Sequence, residues 1–95
     1  MGLDTVVRAG TEQVAAEVED GVVILNLRDD VYYGLDRVGR RVWALVQAPR
    51  TMREIRDTLL AEYEVDPDEC ERDLRDLLVD LAARGLVEVD RPAAA

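Results

Sequence analysis

Residues 14–35 read VAAEVEDGVVILNLRDDVYYGL, and this stretch decides the fold. Val14–Val18 and Val22–Leu27 are β-branched, partly alternating runs. The Glu19-Asp20-Gly21 segment between them carries the Asp-Gly step of a tight turn, so the two runs form a hairpin. A second turn at Arg28-Asp29-Asp30 leads into a third short strand, Val31-Tyr32-Tyr33-Gly34-Leu35. Three strands this short cannot stand alone and require a helical layer on one face.

That layer follows in the sequence. Asp36 is a good N-cap for a helix that aligns Val38, Val42, Leu45 and Val46, with Gly39 and Trp43 beside them, and Ala48-Pro49-Arg50 ends it. Trp43 reads as a core anchor, because aromatic residues at helical spacing pack. Thr51 and Glu54 make a capping-box pattern ahead of Met52, Ile55, Leu59 and Tyr63. Asp66, Pro67 and Glu69 supply the N-cap, first-turn proline and reciprocal acid of a third helix, whose inward stripe is Cys70, Leu74, Leu77, Leu78 and Leu81. Gly85 closes it as a left-handed cap, Leu86–Val89 adds a short terminal strand, and Arg91–Ala95 reads as a frayed tail. The expected fold is α+β and winged helix-turn-helix-like: a three-stranded antiparallel sheet followed by three helices. Residues 1–95 form a single domain with an ordered core over about 5–90, since the chain is too short for two ordinary cores.

Composition narrows the chemistry. The chain contains no His, Lys or Ser, which removes the usual general base, the Schiff-base amine and the commonest nucleophile together. Cys70 is the sole cysteine, so it has neither a disulfide partner nor a histidine to activate it. With no calcium-loop motif either, the sequence offers no catalytic residue, metal site or cofactor site. A net charge of -9 repels phosphate backbones, and residues 66–84 carry seven acids against three arginines, so a winged-helix DNA-binding regulator is the weakest of the functional readings. No apolar run approaches the roughly 18 residues of a membrane span, and the N-terminus lacks a signal-peptide pattern. The expectation is a cytoplasmic protein with neither membrane nor nucleic-acid partners. All twelve basic residues are Arg, which fits a GC-rich bacterial genome.

The segment Val31-Tyr32-Tyr33-Gly34-Leu35-Asp36-Arg37-Val38-Gly39-Arg40-Arg41-Val42-Trp43-Ala44-Leu45 resembles the PqqD family, in which an aromatic strand, a Leu-Asn/Asp step, a Gly and an Ile/Val-Trp pair occur at this spacing. In outline the likeness extends over almost the whole chain, to Arg84-Gly85-Leu86-Val87. The resemblance implies a non-catalytic recognition domain for ribosomally made precursor peptides. In its stand-alone form it is similar to the leader-binding protein of lasso-peptide biosynthesis, whose partners are the precursor's leader, a separate leader peptidase and a macrolactam-forming cyclase, and whose leaders carry a Tyr-x-x-Pro signature. The alternative that the resemblance leaves open is a peptide chaperone for a radical enzyme in the synthesis of pyrroloquinoline quinone or another modified peptide.

The resemblance also implies a binding mode. The leader adds as a β-strand to the third strand and lies beside the third helix. An unpaired edge has N–H and C=O groups for such a strand to satisfy. The expected peptide-binding residues are Asp30, Val31, Tyr32, Tyr33 and Gly34 on the strand side, and Asp73, Leu74, Asp76, Leu77 and Asp80 on the helix side. Gly34 permits close backbone approach or marks a bend. Tyr32 and Tyr33 point to opposite faces, and which of them meets the ligand stays open. Glu69, Asp73, Asp76 and Asp80 align on one helix face, either to attract a basic leader or as a solvated surface.

Overall fold

The computed structural model describes residues 1–90, and the chain runs through β1 (Val6–Ala9), β2 (Gln13–Val18), β3 (Gly21–Asn26), β4 (Val31–Leu35), α1 (Arg37–Leu45), β5 (Arg50–Thr51), α2 (Met52–Glu62), α3 (Pro67–Ala83) and β6 (Val87–Asp90). The reading of Arg91–Ala95 as a frayed tail lies outside the described residues. The expected hairpin and third strand form one antiparallel sheet in the order β2-β3-β4, followed by three helices, so the fold is α+β. A second antiparallel sheet, β5-β1-β6, was not expected. The terminal strand pairs with β1, placing Val7 opposite Val89 and Arg8 opposite Glu88, and does not extend the hairpin sheet.

Gly21 is needed for a different reason from the one its Asp-Gly step suggests. Among the described residues only Asp30 (φ 58°) and Gly85 (φ 74°) have left-handed backbones, so the β2–β3 turn does not use glycine's freedom at positive φ. A Cβ on Gly21 would instead lie 1.9 Å from the carbonyl oxygen of Leu35, at the end of β4 where Leu35 pairs with Val22. Gly85 does serve as the left-handed cap.

The helices start largely as their caps dictate. The Asp36 side chain accepts from the Gly39 N–H at 2.8 Å. At α2 the box closes in both directions: the Thr51 N–H donates to Glu54 Oε1 at 2.9 Å and the Glu54 N–H to Thr51 Oγ1 at 3.1 Å. Asp66 occupies the N-cap position of α3, but its carboxylate makes no cap bond, so the expected reciprocal arrangement with Glu69 does not form. Pro67, the first helical residue, has no N–H to leave unsatisfied there.

A single core lies between the inner face of β3 and the helices. Val22 and Ile24 meet Val42 and Val46 of the α1 end, Met52 and Ile55 of α2, and Leu78 and Leu81 of α3, all almost fully buried. Trp43 is buried among them. Val38, expected on the inward face of α1, is 42% exposed, because its first-turn position lies at the mouth of the groove described below. Cys70 and Leu77, expected on the buried stripe of α3, are half-buried for the same reason. One buried polar residue ties the layers together: Asn26 donates from Nδ2 to the Arg84 carbonyl at 2.8 Å and accepts from the Arg28 N–H at 3.0 Å. It anchors the end of β3 to the last turn of α3.

Candidate functional site

β4 is an outer strand of its sheet, so alternate N–H and C=O groups along Val31–Leu35 point away from β3 and have no strand partner. The register decides which way its side chains turn. Tyr33 lies opposite fully buried Ile24 and therefore faces the helices, whereas Tyr32, opposite Leu25, faces outward and is 69% exposed. Val31 is also exposed, and Asp30 stands in the preceding turn. A Cβ on Gly34 would meet nothing within 4 Å, so the chain's own packing does not require a glycine there.

Tyr33 joins the strand to α3. Its hydroxyl donates to the Asp80 carboxylate, the Arg84 guanidinium sits 4.6 Å above its ring, and Arg84 Nε bonds Asp80 Oδ1 at 3.2 Å. The hydrogen bond from Tyr33 is the main reason the Asp80 carboxyl is held below its ordinary range, and the same bond pushes the Tyr33 hydroxyl up. This cluster clamps one end of the interval between β4 and α3.

At the other end the interval opens into a groove of about 680 Å³. Gly34, Leu35 and Asp36 form its strand-side wall, and Val42, Leu59, Tyr63, Leu74 and Leu77 contribute apolar surface. Its acids are Asp36, Glu64, Asp66, Glu69 and Asp73, with no arginine in the lining. Among the described residues Glu64, Asp66 and Glu69 make no ion pair, and Asp73 has only a long 3.9 Å contact to Arg72 on an exposed surface. The groove is therefore apolar inside and negative at its rim.

Of the ten residues expected from sequence, Gly34, Asp73, Leu74 and Leu77 come together in this groove. Tyr33 and Asp80 meet each other beside it. Val31 and Tyr32 belong to the free strand and its outer side, Asp30 to the turn before it, and Asp76 is exposed on α3 without lining the groove. Sequence reasoning missed the contribution of Val38 and of Tyr63-Glu64-Val65-Asp66. The available signal was an aromatic and a valine placed in the short link between two capped helices, where polar residues suffice.

Cys70 also lines the groove, and burial, reinforced by Asp73, pushes its thiol pKa up, so it is a protonated apolar contact at neutral pH. Among the described residues no group of three or more His, Cys, Asp or Glu is placed to hold a metal ion, and no helix is long and apolar enough to cross a membrane.

The family model for coenzyme PQQ synthesis protein D (PqqD) matches residues 21–87. A solved structure of TbiB1 in complex with the TbiA(beta) leader peptide is 41% identical, with a TM-score of 0.78 over 93% of this chain and 98% of that one. A structure of lasso peptide synthetase B1 complexed with the leader peptide shares the fold at 24% identity, with a TM-score of 0.76 over 86% of this chain and 96% of that one. No curated protein sequence matches. The match spans β3 to the start of β6, including the free strand and α3, and the chain belongs to the PqqD family.

Proposed function

We propose that this protein binds the leader segment of a ribosomally made precursor peptide, as a strand added to β4 beside α3, in a lasso-peptide pathway. The observation that carries the reading is the pairing of an unpartnered strand edge with an apolar, acid-rimmed groove against the neighbouring helix. Main-chain bonds to β4 supply affinity that does not depend on sequence, and the groove selects side chains. Asp30, Val31, Tyr32, Tyr33 and Gly34 contact the added strand. Leu74 and Leu77 receive an apolar leader residue, and Asp73, with Asp76 and Asp80 further along the helix, favours a basic leader. The leader-peptide complex of TbiB1, at 41% identity, supports this reading.

The role is non-catalytic. A chain without His, Lys or Ser lacks the usual general base, Schiff-base amine and commonest nucleophile, and its one thiol stays protonated, which supports this reading. It holds the precursor for a separate leader peptidase and a macrolactam-forming cyclase in the cytoplasm. The family model's link to coenzyme PQQ synthesis supports a second reading, a peptide chaperone for a radical enzyme. Titrating the fluorescently labelled leader of each pathway into the protein, followed by anisotropy, tests both. Saturable binding of the lasso leader at about micromolar Kd or tighter is the expected result. Failure of a folded protein to bind it would refute the lasso assignment, and binding of the quinone-precursor peptide instead would establish the second reading.

A further inference from the structure

The main sheet has a second face. Cross-strand register puts Val14, Ala16 and Val18 of β2, Val23 and Leu25 of β3, and Tyr32 of β4 on the side away from the helices. Val14 is 55% exposed, Val18 47% and Tyr32 69%. An antiparallel sheet covered on one side normally turns polar residues outward on the other. Here β2 is inverted: its polar residues, Gln13 and Glu17, lie on the helix side, and its valines face away from the core. The run Val22-Val23-Ile24-Leu25 is apolar on both faces, the pattern of a strand covered twice. The two hairpin turns that close this face at its ends carry Glu19 and Asp20, and Asp29 and Asp30. Arg37 pairs with Asp20 and Arg40 donates to the Val18 carbonyl, which balances the first turn, whereas Arg28 is engaged by Glu12, so the uncompensated negative charge lies at Asp29 and Asp30.

We propose that this outer face is a docking surface for a second protein, one that presents an apolar patch bordered by Arg and Lys. Charge decides against another copy of the same chain. Each copy has a net charge of -9, so two copies repel each other, whereas a basic-rimmed partner is attracted. The face ends at β4, the strand proposed to take the leader, so a protein seated on it is brought beside the bound precursor. On the leader-binding reading, on which this identification rests, the partner is the enzyme that cleaves the leader.

The test uses the whole chain, its precursor leader and the leader peptidase of the same pathway. Val14 and Val18 lie on the far edge strand, outside the proposed leader site, so a Val14→Arg/Val18→Arg variant leaves the groove intact. Leader anisotropy is expected to stay within about twofold of wild type while peptidase affinity, measured by biolayer interferometry, falls about tenfold or more. A Val14→Ile/Val18→Ile variant, apolar and uncharged, is expected to retain the peptidase, and raising salt weakens the wild-type complex. Unchanged peptidase affinity in the arginine variant overturns the proposal. So does a wild-type dimer in sedimentation that the arginine variant dissociates, since a second copy then covers the face. If the wild-type protein binds no leader but the arginine variant still loses the peptidase, the leader reading fails and the docking surface stands.

Discussion

Tyr33→Phe removes one hydroxyl and keeps the ring beneath Arg84, so it isolates the bond that links β4 to α3 across 47 residues of sequence. A hydrogen bond to a charged group contributes about 1.5–3 kcal/mol. Asp80 is roughly half exposed and retains Arg84 as a partner, so solvent screening reduces the expected loss to about 1 kcal/mol. In a domain of this size that lowers Tm by about 4–8 °C. The pH dependence identifies the cause. The Asp80 carboxyl is depressed in the fold, so its contribution is present above the unfolded value of about 3.9 and disappears as pH falls through the lower folded one. The Tyr33 hydroxyl is raised, so its contribution is present below about 10 and is lost as pH rises through the higher folded value. The gap in Tm between wild type and Tyr33→Phe is therefore widest at neutral pH and closes at both extremes. Thermal denaturation followed by circular dichroism across that range, on wild type, Tyr33→Phe, Asp80→Asn and the double variant, measures it. A gap that does not change with pH, or fully additive single effects in the double variant, would refute the reasoning.

Gly21→Ala drives a methyl into the Leu35 carbonyl, which cannot retreat because Leu35 pairs with Val22 and precedes the Asp36 cap; a loss of about 3 kcal/mol is expected in urea denaturation. Asn26→Ala strips the Arg84 carbonyl and the Arg28 N–H of their partner, and the same assay is expected to show a loss of about 2 kcal/mol. Because burial holds the Cys70 thiol up, iodoacetamide alkylates it slowly at neutral pH, and bound leader slows the reaction further by covering the groove; mass spectrometry follows both effects.

The sequence was most informative where a local pattern meets a local demand. Asp36, Thr51 with Glu54, and Gly85 each mark an element boundary within a few residues of the group they satisfy, and the apolar runs of the hairpin differ in period from the helices that follow. The second sheet was not legible. β1 has four residues and β5 two, too few to show a period, and β1 is made a strand by Val87–Asp90 from the other end of the chain. The inversion of β2 escaped for a related reason: alternation shows that Val14 and Val18 share a face, but only the placement of the helices shows that this face is uncovered. Four of the expected site residues converge on the groove because they sit on elements read correctly, Gly34 on β4 and the other three on α3. Tyr63 and Val65 come from the link between α2 and α3, whose course depends on how the helices cross.

Hydrogen exchange on the protein with and without saturating leader peptide tests strand addition to β4 most directly. The account predicts that outward-pointing amides within Val31–Leu35 exchange more slowly once the leader is bound, with further protection along the groove-facing part of α3, while Gln13–Val18 on the opposite edge is unchanged. Leader-induced protection confined to β2 or to the second sheet, with Val31–Leu35 exchanging as in the free protein, would contradict it.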